Sequence, residues 1–293
     1  MSQSPTNHAS KTIAFQGALG ANSHLACQSA YPEMRYMACQ GFEDAFSAVR
    51  ENQALLAMIP VENSVMGRIA DIHHILPDSG LHIIGEHFQH VNHQLLAVKG
   101  ATLEDLKVVE SQLPALSQCR NFIKKYGLEQ VSASDTAGAA RDVAKRGDPT
   151  VGAIASSLAA KIYGLNVLAS NIEDAAHNTT RFIIMSQNSQ IPKQGSGAVV
   201  TSIVFRVRNV PAALYKAMGG LATNGVNITK LESYMLGGHF TATQFYADIE
   251  GHPEERPVKL ALEELNFYTK EVRILGTYPA HPYRLEAASP DEN

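Results

Sequence analysis

Apolar and polar positions along this chain switch repeatedly between the strand period and the helix period. Residues 11–16 are a short apolar run ending at Gly17, as in a buried strand. Residues 22–30 follow as a helix, with Asn22 or Ser23 placed to cap it. In 42–51, Phe42, Ala45, Phe46 and Val49 recur at helical spacing, and 54–59 is an apolar strand stopped by Pro60. Residues 68–76 read as helix and 81–84 as the start of a strand. Next come a strand at 93–98, a short helix at 102–107 capped by Thr102, and Val108-Val109 entering a turn at Ser111. Helices follow at 116–126 and 136–145, then a strand at 151–155 and a helix at 156–163 stopped by Gly164. A return segment from Ile172 leads into the apolar run Ile183-Ile184-Met185. This alternation predicts an α/β domain with a largely parallel sheet.

The pattern then changes. Residues 186–197 are polar and rich in turn formers, a linker by composition. Beyond it, 201–208 alternates as a strand, and 211–222 is an amphipathic helix with Pro211 near its first position and Asn224-Gly225 at its end. Residues 226–236 and 240–249 read as strands joined by a Gly237-Gly238 hairpin, 257–265 as a helix and 272–275 as the last strand. The order βαββαβ predicts a ferredoxin-like sandwich. The expected organisation is an α/β domain at 11–186, a linker at 187–199 and a second domain at 200–280. Residues 1–10 read as a disordered lead-in.

Composition narrows the functional classes. The 293 residues are 45% hydrophobic and 18% charged, with a net charge of −4, which gives no basic footprint for nucleic acid. No apolar run approaches the roughly 18 residues of a membrane-spanning helix, and no apolar leader follows Met1. The three cysteines, Cys27, Cys39 and Cys119, have neither paired nor metal-type spacing, so reduced thiols in a cytoplasmic protein are expected. His73-His74 and the series His87, His90, His93 invite a metal reading, but no cysteine or carboxylate clusters with them, and no metal is expected.

Four polar clusters carry the candidate chemistry. Asn178-Thr179-Thr180-Arg181-Phe182 sets a hydroxyl, a permanent cation and a ring side by side at a strand entrance. Gln16–Ser23 places Gly17 and Gly20 between a strand and a helix start, a layout that fits either an anion nest or a plain tight turn. Pro60 to Gly67 carries Glu62, Asn63 and Ser64 just past a buried strand, where open α/β sheets bind ligands, although capping of the next helix fits the same residues. Ser111 and Gln118 bracket another helix start, with Ser111 a candidate cap. No nucleophile elbow is present. Neutral polar groups, one arginine and backbone N–H donors suit an anionic, hydroxylated small molecule and the stabilisation of departing charge.

With these residues assembled, the chain over about 11–280 resembles the prephenate dehydratase family, of the type with a C-terminal ACT domain. The resemblance rests on Thr180-Arg181-Phe182, on Pro60-Val61-Glu62-Asn63-Ser64 with Gly67, on the run Ile154 to Leu165, and on Asn227-Ile228-Thr229-Lys230-Leu231-Glu232-Ser233. It implies two subdomains like those of a periplasmic binding protein, at about 11–86 plus 172–186 and at 87–171. It also implies conversion of prephenate to phenylpyruvate with no metal or organic cofactor. Thr180, Arg181, Asn63, Ser111 and Gln118 fall on the family's catalytic positions. Gly17, Gly20, Ser23, Ser64 and Phe182 fall on substrate-facing ones. The ACT part implies feedback by L-phenylalanine in a homodimer or homotetramer, with Ala213, Leu214, Asn227, Glu232 and Ser233 at the effector site.

The sequence departs from the family pattern in places. The usual Gly-Ala-Leu is Ala212-Ala213-Leu214, the usual Glu-Ser-Arg-Pro is Glu232-Ser233-Tyr234-Met235, and the usual Ser-His-Pro is Ser111-Gln112-Leu113. Two rivals stand beside this reading: arogenate dehydratase, with the same site, and a non-catalytic amino-acid sensor.

Overall fold

The computed structural model describes residues 11–235 and 242–287. The expected disordered lead-in at 1–10 and the Gly237-Gly238 hairpin lie outside the described residues.

In chain order the elements begin with β1 (Thr12–Gln16), α1 (Asn22–Ala30), β2 (Arg35–Cys39), α2 (Phe42–Arg50), β3 (Leu56–Asn63) and β4 (Gly67–Arg68). Next are α3 (Ala70–Ile75), a 3-10 turn (Leu76–Asp78), β5 (His82–His90), β6 (Gln94–Ala97), β7 (Val108–Ser111), α4 (Leu113–Gln118) and α5 (Arg120–Lys125). Then come β8 (Glu129–Ser132), α6 (Thr136–Arg146), β9 (Val151–Ala155), α7 (Ser157–Tyr163), β10 (Asn166–Ala169) and β11 (Thr179–Ser186). The C-terminal part holds β12 (Val199–Val207), α8 (Ala213–Thr223), β13 (Ile228–Met235), β14 (Ala242–Glu250), α9 (Arg256–Tyr268), β15 (Thr269–Pro279) and α10 (Pro282–Ala287).

The chain divides into two compact units, 1–69 with 87–182 and 70–86 with 183–293. Strands β5 and β11 run from one unit into the other.

The first unit has two lobes. One is built on a sheet of order β2-β1-β3-β11-β5, with β4 paired to β3. The other has order β10-β6-β9-β7-β8. Parallel pairing holds for β1 with β2 and β3, and for β7 with β8 and β9. The second sheet is mixed rather than largely parallel, because β6 runs antiparallel to both β9 and β10. Ile13, Phe15, Phe46, Met58 and Ile59 are fully buried in the first lobe. The second lobe packs Leu95, Val109, Leu116 and Ile154 on one side and Leu96, Ala139, Ala153 and Ala159 on the other. The chain crosses between lobes at Val91 and again at Asn178, where Val91 N donates to Asn178 O at 2.8 Å.

Local readings needed correction where tertiary partners decide. Strand β3 continues through Pro60 to Asn63. Its register with β1 ends at Met58, so the missing N–H of Pro60 costs that ladder nothing. The expected helix at 102–107 is only a turn, in which the N and Oγ1 of Thr102 both donate to Asp105 Oδ2 at 2.8 Å. The expected helix at 116–126 is split into α4 and α5 at Cys119. There Asp174 N takes the Gln118 carbonyl at 2.6 Å and the Asp174 carboxylate receives Asn121 N, replacing the helical ladder. The N-cap of α1 is Ala21, without a side-chain bond, rather than Asn22 or Ser23. Asp135 and Ser156 do cap α6 and α7.

The second unit contains the βαββαβ order with sheet order β13-β14-β12-β15, all pairs antiparallel. Alternation sends Ile203, Phe205, Phe245 and Ala247 to one face, packed with Ala217 of α8 and Leu265 of α9. On the other face Asp248 accepts from Ser202 Oγ at 2.5 Å and Tyr246 OH at 2.7 Å. Gly276 of β15 lies so close to the Ile83 backbone that no Cβ would fit. Helix α8 starts at Ala213, so Pro211 precedes it, and Ala212 occupies the left-handed region at φ 60°. The αL cost of a Cβ applies at Ala212, where the family pattern has glycine.

Candidate active site

Strands β3 and β11 end side by side, and their polar residues alternate in direction. Asn63 and Thr180 meet: Asn63 Nδ2 donates to Thr180 Oγ1 at 3.0 Å and to Asn178 Oδ1 at 2.8 Å. Asn63 Oδ1 accepts from the backbone N–H groups of Val65 and Met66 at 3.0 and 2.9 Å. Asn178 Nδ2 in turn donates to Gln118 Oε1 at 2.8 Å, which carries the network to the second lobe. His93 Nε2 lies 2.8 Å from the same Gln118 oxygen. Thr180 is 8% exposed, Asn178 1% and His93 3%, while Asn63 and Gln118 are half-buried, so the network is shielded at its centre and open at its rim. Burial lowers the His93 pKa, outweighing the opposing effects of Gln118 and Glu173.

Neighbouring positions on the same strands point the other way. Arg181, 2% exposed, donates from Nη1 to Glu62 Oε1 at 2.8 Å. The pair ties β3 to β11. Phe182 is 1% exposed, a core residue whose ring presents no surface to a ligand. Ser64 Oγ donates to His177 O at 2.6 Å and accepts from Thr179 N at 2.9 Å, so it straps the loop to β11 rather than facing a substrate.

Ser111 is not a cap; Gln112 is the N-cap of α4. Ser111 closes β7, is fully buried and donates to Ile154 O at 2.6 Å. Its hydroxyl hydrogen is therefore used inside the second lobe. The break at Cys119 is what turns Gln118 towards Asn178.

The glycine loop is held from the second lobe. Ser156 Oγ donates to Gly20 O at 2.5 Å and Tyr163 OH to Leu19 O at 2.8 Å. A Cβ on Gly20, at φ 93°, would come 2.8 Å from Ala159 Cα. As an anion nest the loop is depleted: Gly17 N donates to Cys39 O, Gly20 N to His24 Nδ1 and Ala21 N to Ala18 O. Ser23 is buried in the first turn of α1.

The histidines singled out by spacing do separate jobs. His90 Nδ1 lies 3.5 Å from Thr179 Oγ1 and His87 Nε2 3.5 Å from Gln89 Oε1. Among the described residues no group of three His, Cys, Asp or Glu could hold a metal ion.

In the second unit, Asn227 Nδ2 donates to Glu250 Oε2 at 3.0 Å and Lys230 Nζ to Glu232 Oε1 at 3.1 Å. Ala213 and Leu214 pack partly buried against the sheet, and Ser233 lies exposed on β13.

The sequence model of the family described as prephenate dehydratase matches residues 13–190. A bifunctional N-acyl-homoserine lactone acylase/prephenate dehydratase of Komagataeibacter europaeus is 50% identical over 275 residues, 94% of this chain and 98% of that relative. The chain belongs to the prephenate dehydratase family. It is thus an enzyme of a dehydrating lyase family. Arogenate dehydratase/prephenate dehydratase 2 of Arabidopsis thaliana is 37% identical over 289 residues, 95% of this chain and 75% of that one. The solved prephenate dehydratase of Arthrobacter aurescens, in complex with L-Phe, superposes with a TM-score of 0.84 at 31% identity, covering 92% of this chain and 90% of that chain. The likeness places the two lobes in the periplasmic-binding-protein-like arrangement of this family, with an ACT-like C-terminal region.

Within the family frame, sequence reasoning assembled Asn63, Thr180 and Gln118 and missed two residues between them. Asn178 was in view as part of the quoted motif without a role. His93 was read only within a histidine series, and its link to Gln118 comes from the crossing of the chain between lobes.

Proposed function

We propose that this chain catalyses the decarboxylating dehydration of prephenate to phenylpyruvate, regulated by L-phenylalanine through the C-terminal unit. The observation that carries the reading is the Asn63 Nδ2 to Thr180 Oγ1 bond at 3.0 Å. Because Thr180 accepts there, its own hydrogen remains to be donated from a buried position, as a departing hydroxyl requires.

In the reaction the ring carboxylate leaves as CO2 and its bonding pair enters the ring. The ring C–O bond breaks, and the hydroxyl gains one proton and leaves as water. Aromatisation supplies the driving force. A threonine hydroxyl is a weak acid, so Thr180 acts by stabilising charge on the departing oxygen and by position. Gln118 offers a second neutral donor from the opposite lobe. Arg181, locked to Glu62, keeps β11 in place. The L-Phe complex of the Arthrobacter aurescens relative supports regulation, with Ala213, Leu214, Asn227, Glu232 and Ser233 as the effector residues.

The test is phenylpyruvate formation by purified protein from prephenate, with and without L-phenylalanine, alongside arogenate. Turnover of prephenate suppressed by phenylalanine is the expected result. Turnover of arogenate alone would transfer the reading to the sister reaction, and turnover of neither would favour the sensor.

A second reading, hydrolysis of N-acyl-homoserine lactones, is favoured by the 50% identity with the dual-activity relative. The geometry gives it less: Ser64 and Ser111 both spend their hydroxyl hydrogens on backbone carbonyls. Release of homoserine lactone from an N-acyl substrate decides it.

A further inference from the structure

Two backbone N–H groups fix the direction of every hydrogen bond in the site network. Val65 N and Met66 N can only donate, so the Asn63 atom facing them is oxygen and its Nδ2 faces Asn178 and Thr180. The Asn178 atom receiving Asn63 Nδ2 must then be Oδ1, which turns Asn178 Nδ2 towards Gln118. Gln118 therefore presents Oε1 to Asn178, and the His93 nitrogen 2.8 Å from that oxygen must carry a hydrogen. Each step follows from the one before, because an amide oxygen cannot donate.

We propose that His93 is a positioning residue that completes this one-way network through its Nε2–H tautomer. Resting on the dehydratase reading, the proposal assigns His93 the task of holding the Gln118 amide in one of its two flip states. Gln118 Oε1 is taken by two donors, His93 Nε2 and Asn178 Nδ2, so both Nε2 hydrogens of Gln118 remain unspent. Thr180 likewise keeps its hydrogen. The two lobes thus each supply one donor, and a flipped Gln118 would oppose N–H to N–H at His93 and Asn178 while presenting an acceptor to an anionic substrate.

The His93 backbone is braced for this task. His93 N donates to Glu173 Oε2 at 2.8 Å, and Ile172 N donates to His93 O at 3.0 Å. Asp174 N, in the same return segment, takes the Gln118 carbonyl at 2.6 Å. One segment therefore sets the spacing of His93 and Gln118.

Two measurements test it. In protein labelled with 15N, long-range 1H–15N correlation reads the His93 tautomer whether or not prephenate is the substrate. A proton on Nε2 with bare Nδ1 is expected, and the opposite tautomer overturns the proposal. In turnover of prephenate, His93→Leu is expected to lower kcat about tenfold, the worth of one hydrogen bond. His93→Gln, which can still donate, recovers most of it. In a Gln118→Leu background, adding His93→Leu changes kcat no further, because His93 acts through Gln118. Equal losses from His93→Leu in both backgrounds would assign it a merely structural role and overturn the inference. A wild-type protein inactive on prephenate would sink the dehydratase reading and leave the tautomer result standing.

Discussion

At the scale of single residues, Thr180 is the position where a methyl and a hydroxyl differ most. Thr180→Val keeps the β-branched shape on β11 and removes the only atom that Asn63 Nδ2 and a departing hydroxyl would share. The expected loss in kcat is about 10²–10³, the range for removing one preorganised donor, with KM little changed. A folded Thr180→Val protein with near-normal kcat would remove Thr180 from the reaction. Two buried imidazoles set a separate, acid-sensitive property. His24 Nδ1 accepts Gly20 N at 3.0 Å, its ring lies between Phe15 and Tyr36, and burial lowers its pKa. His93 is lowered by the same cause. Each binds fewer protons folded than unfolded once the pH falls below the ordinary value of 6.5, so stability is full above that pH and declines below it. Asp105 and Asp148, also lowered, come into play only below 3.8. The urea midpoint should hold steady above pH 6.5 and fall from there towards pH 5, roughly the range in which histidines titrate; a midpoint rising into acid would contradict the burial of these rings as neutral bases.

At the scale of elements, helix α7 explains why a run of small residues matters. Ser156 accepts Ala159 N at 3.0 Å to start the helix and donates to Gly20 O at 2.5 Å to hold the glycine loop. Ser156→Ala should cost about 1–2 kcal/mol as a lost cap, and should raise KM for prephenate more than it lowers kcat. An unchanged KM would separate the loop from substrate binding. The sequence made α7 legible because its period, its serine cap and its closing glycine are all local. Helix α6, strand β9 and the run Ile183 to Met185 of β11 are legible from local signals too. Besides the two-residue β4, the strands it missed, β2, β8 and β10, are sheet edges; β8 is exposed throughout, so no buried alternation marks it. The site was legible where polar residues follow an apolar strand, as at Asn63 and Thr180. It was not legible at Gln118, whose direction comes from Asp174 breaking the helix, or at His93, which is placed by the return segment. Both depend on contacts far apart along the chain, which neither period nor spacing encodes.

At the scale of the whole molecule, the C-terminal unit is more than an appendage, because it includes residues 70–86 from early in the chain. Arg284 of α10 makes a two-pronged bond to Glu86, at 2.6 Å from Nε and 2.9 Å from Nη2, and the Glu86 side chain is fully buried. Arg273 of β15 reaches Pro77 O and Asp78 at 3.2 and 3.3 Å, and Gly276 admits the Ile83 backbone. A chain cut within the linker would lose all three partners and uncover what they cover on residues 77–86. Removing one member of such a pair costs about 3–5 kcal/mol, a large part of a domain's stability. Truncation at 195 should therefore yield little soluble protein rather than an unregulated enzyme. Arg284→Met should reproduce most of the loss in a full-length chain, read as a lower urea midpoint. The paired variant Glu86→Leu with Arg284→Met should recover part of it, because the Glu86 charge is then gone, while the buried Asp248 carboxylate, 3.8 Å from Arg284 Nη2, still loses that cation. If the double variant is no more stable than Arg284→Met, the arginine serves the fold through Asp248 or its packing on α10 and not through Glu86. The proposed phenylalanine response is then best tested by substitutions at Asn227 or Glu232 in the intact chain, with the urea midpoint read alongside, because both side chains also hold partners in the fold.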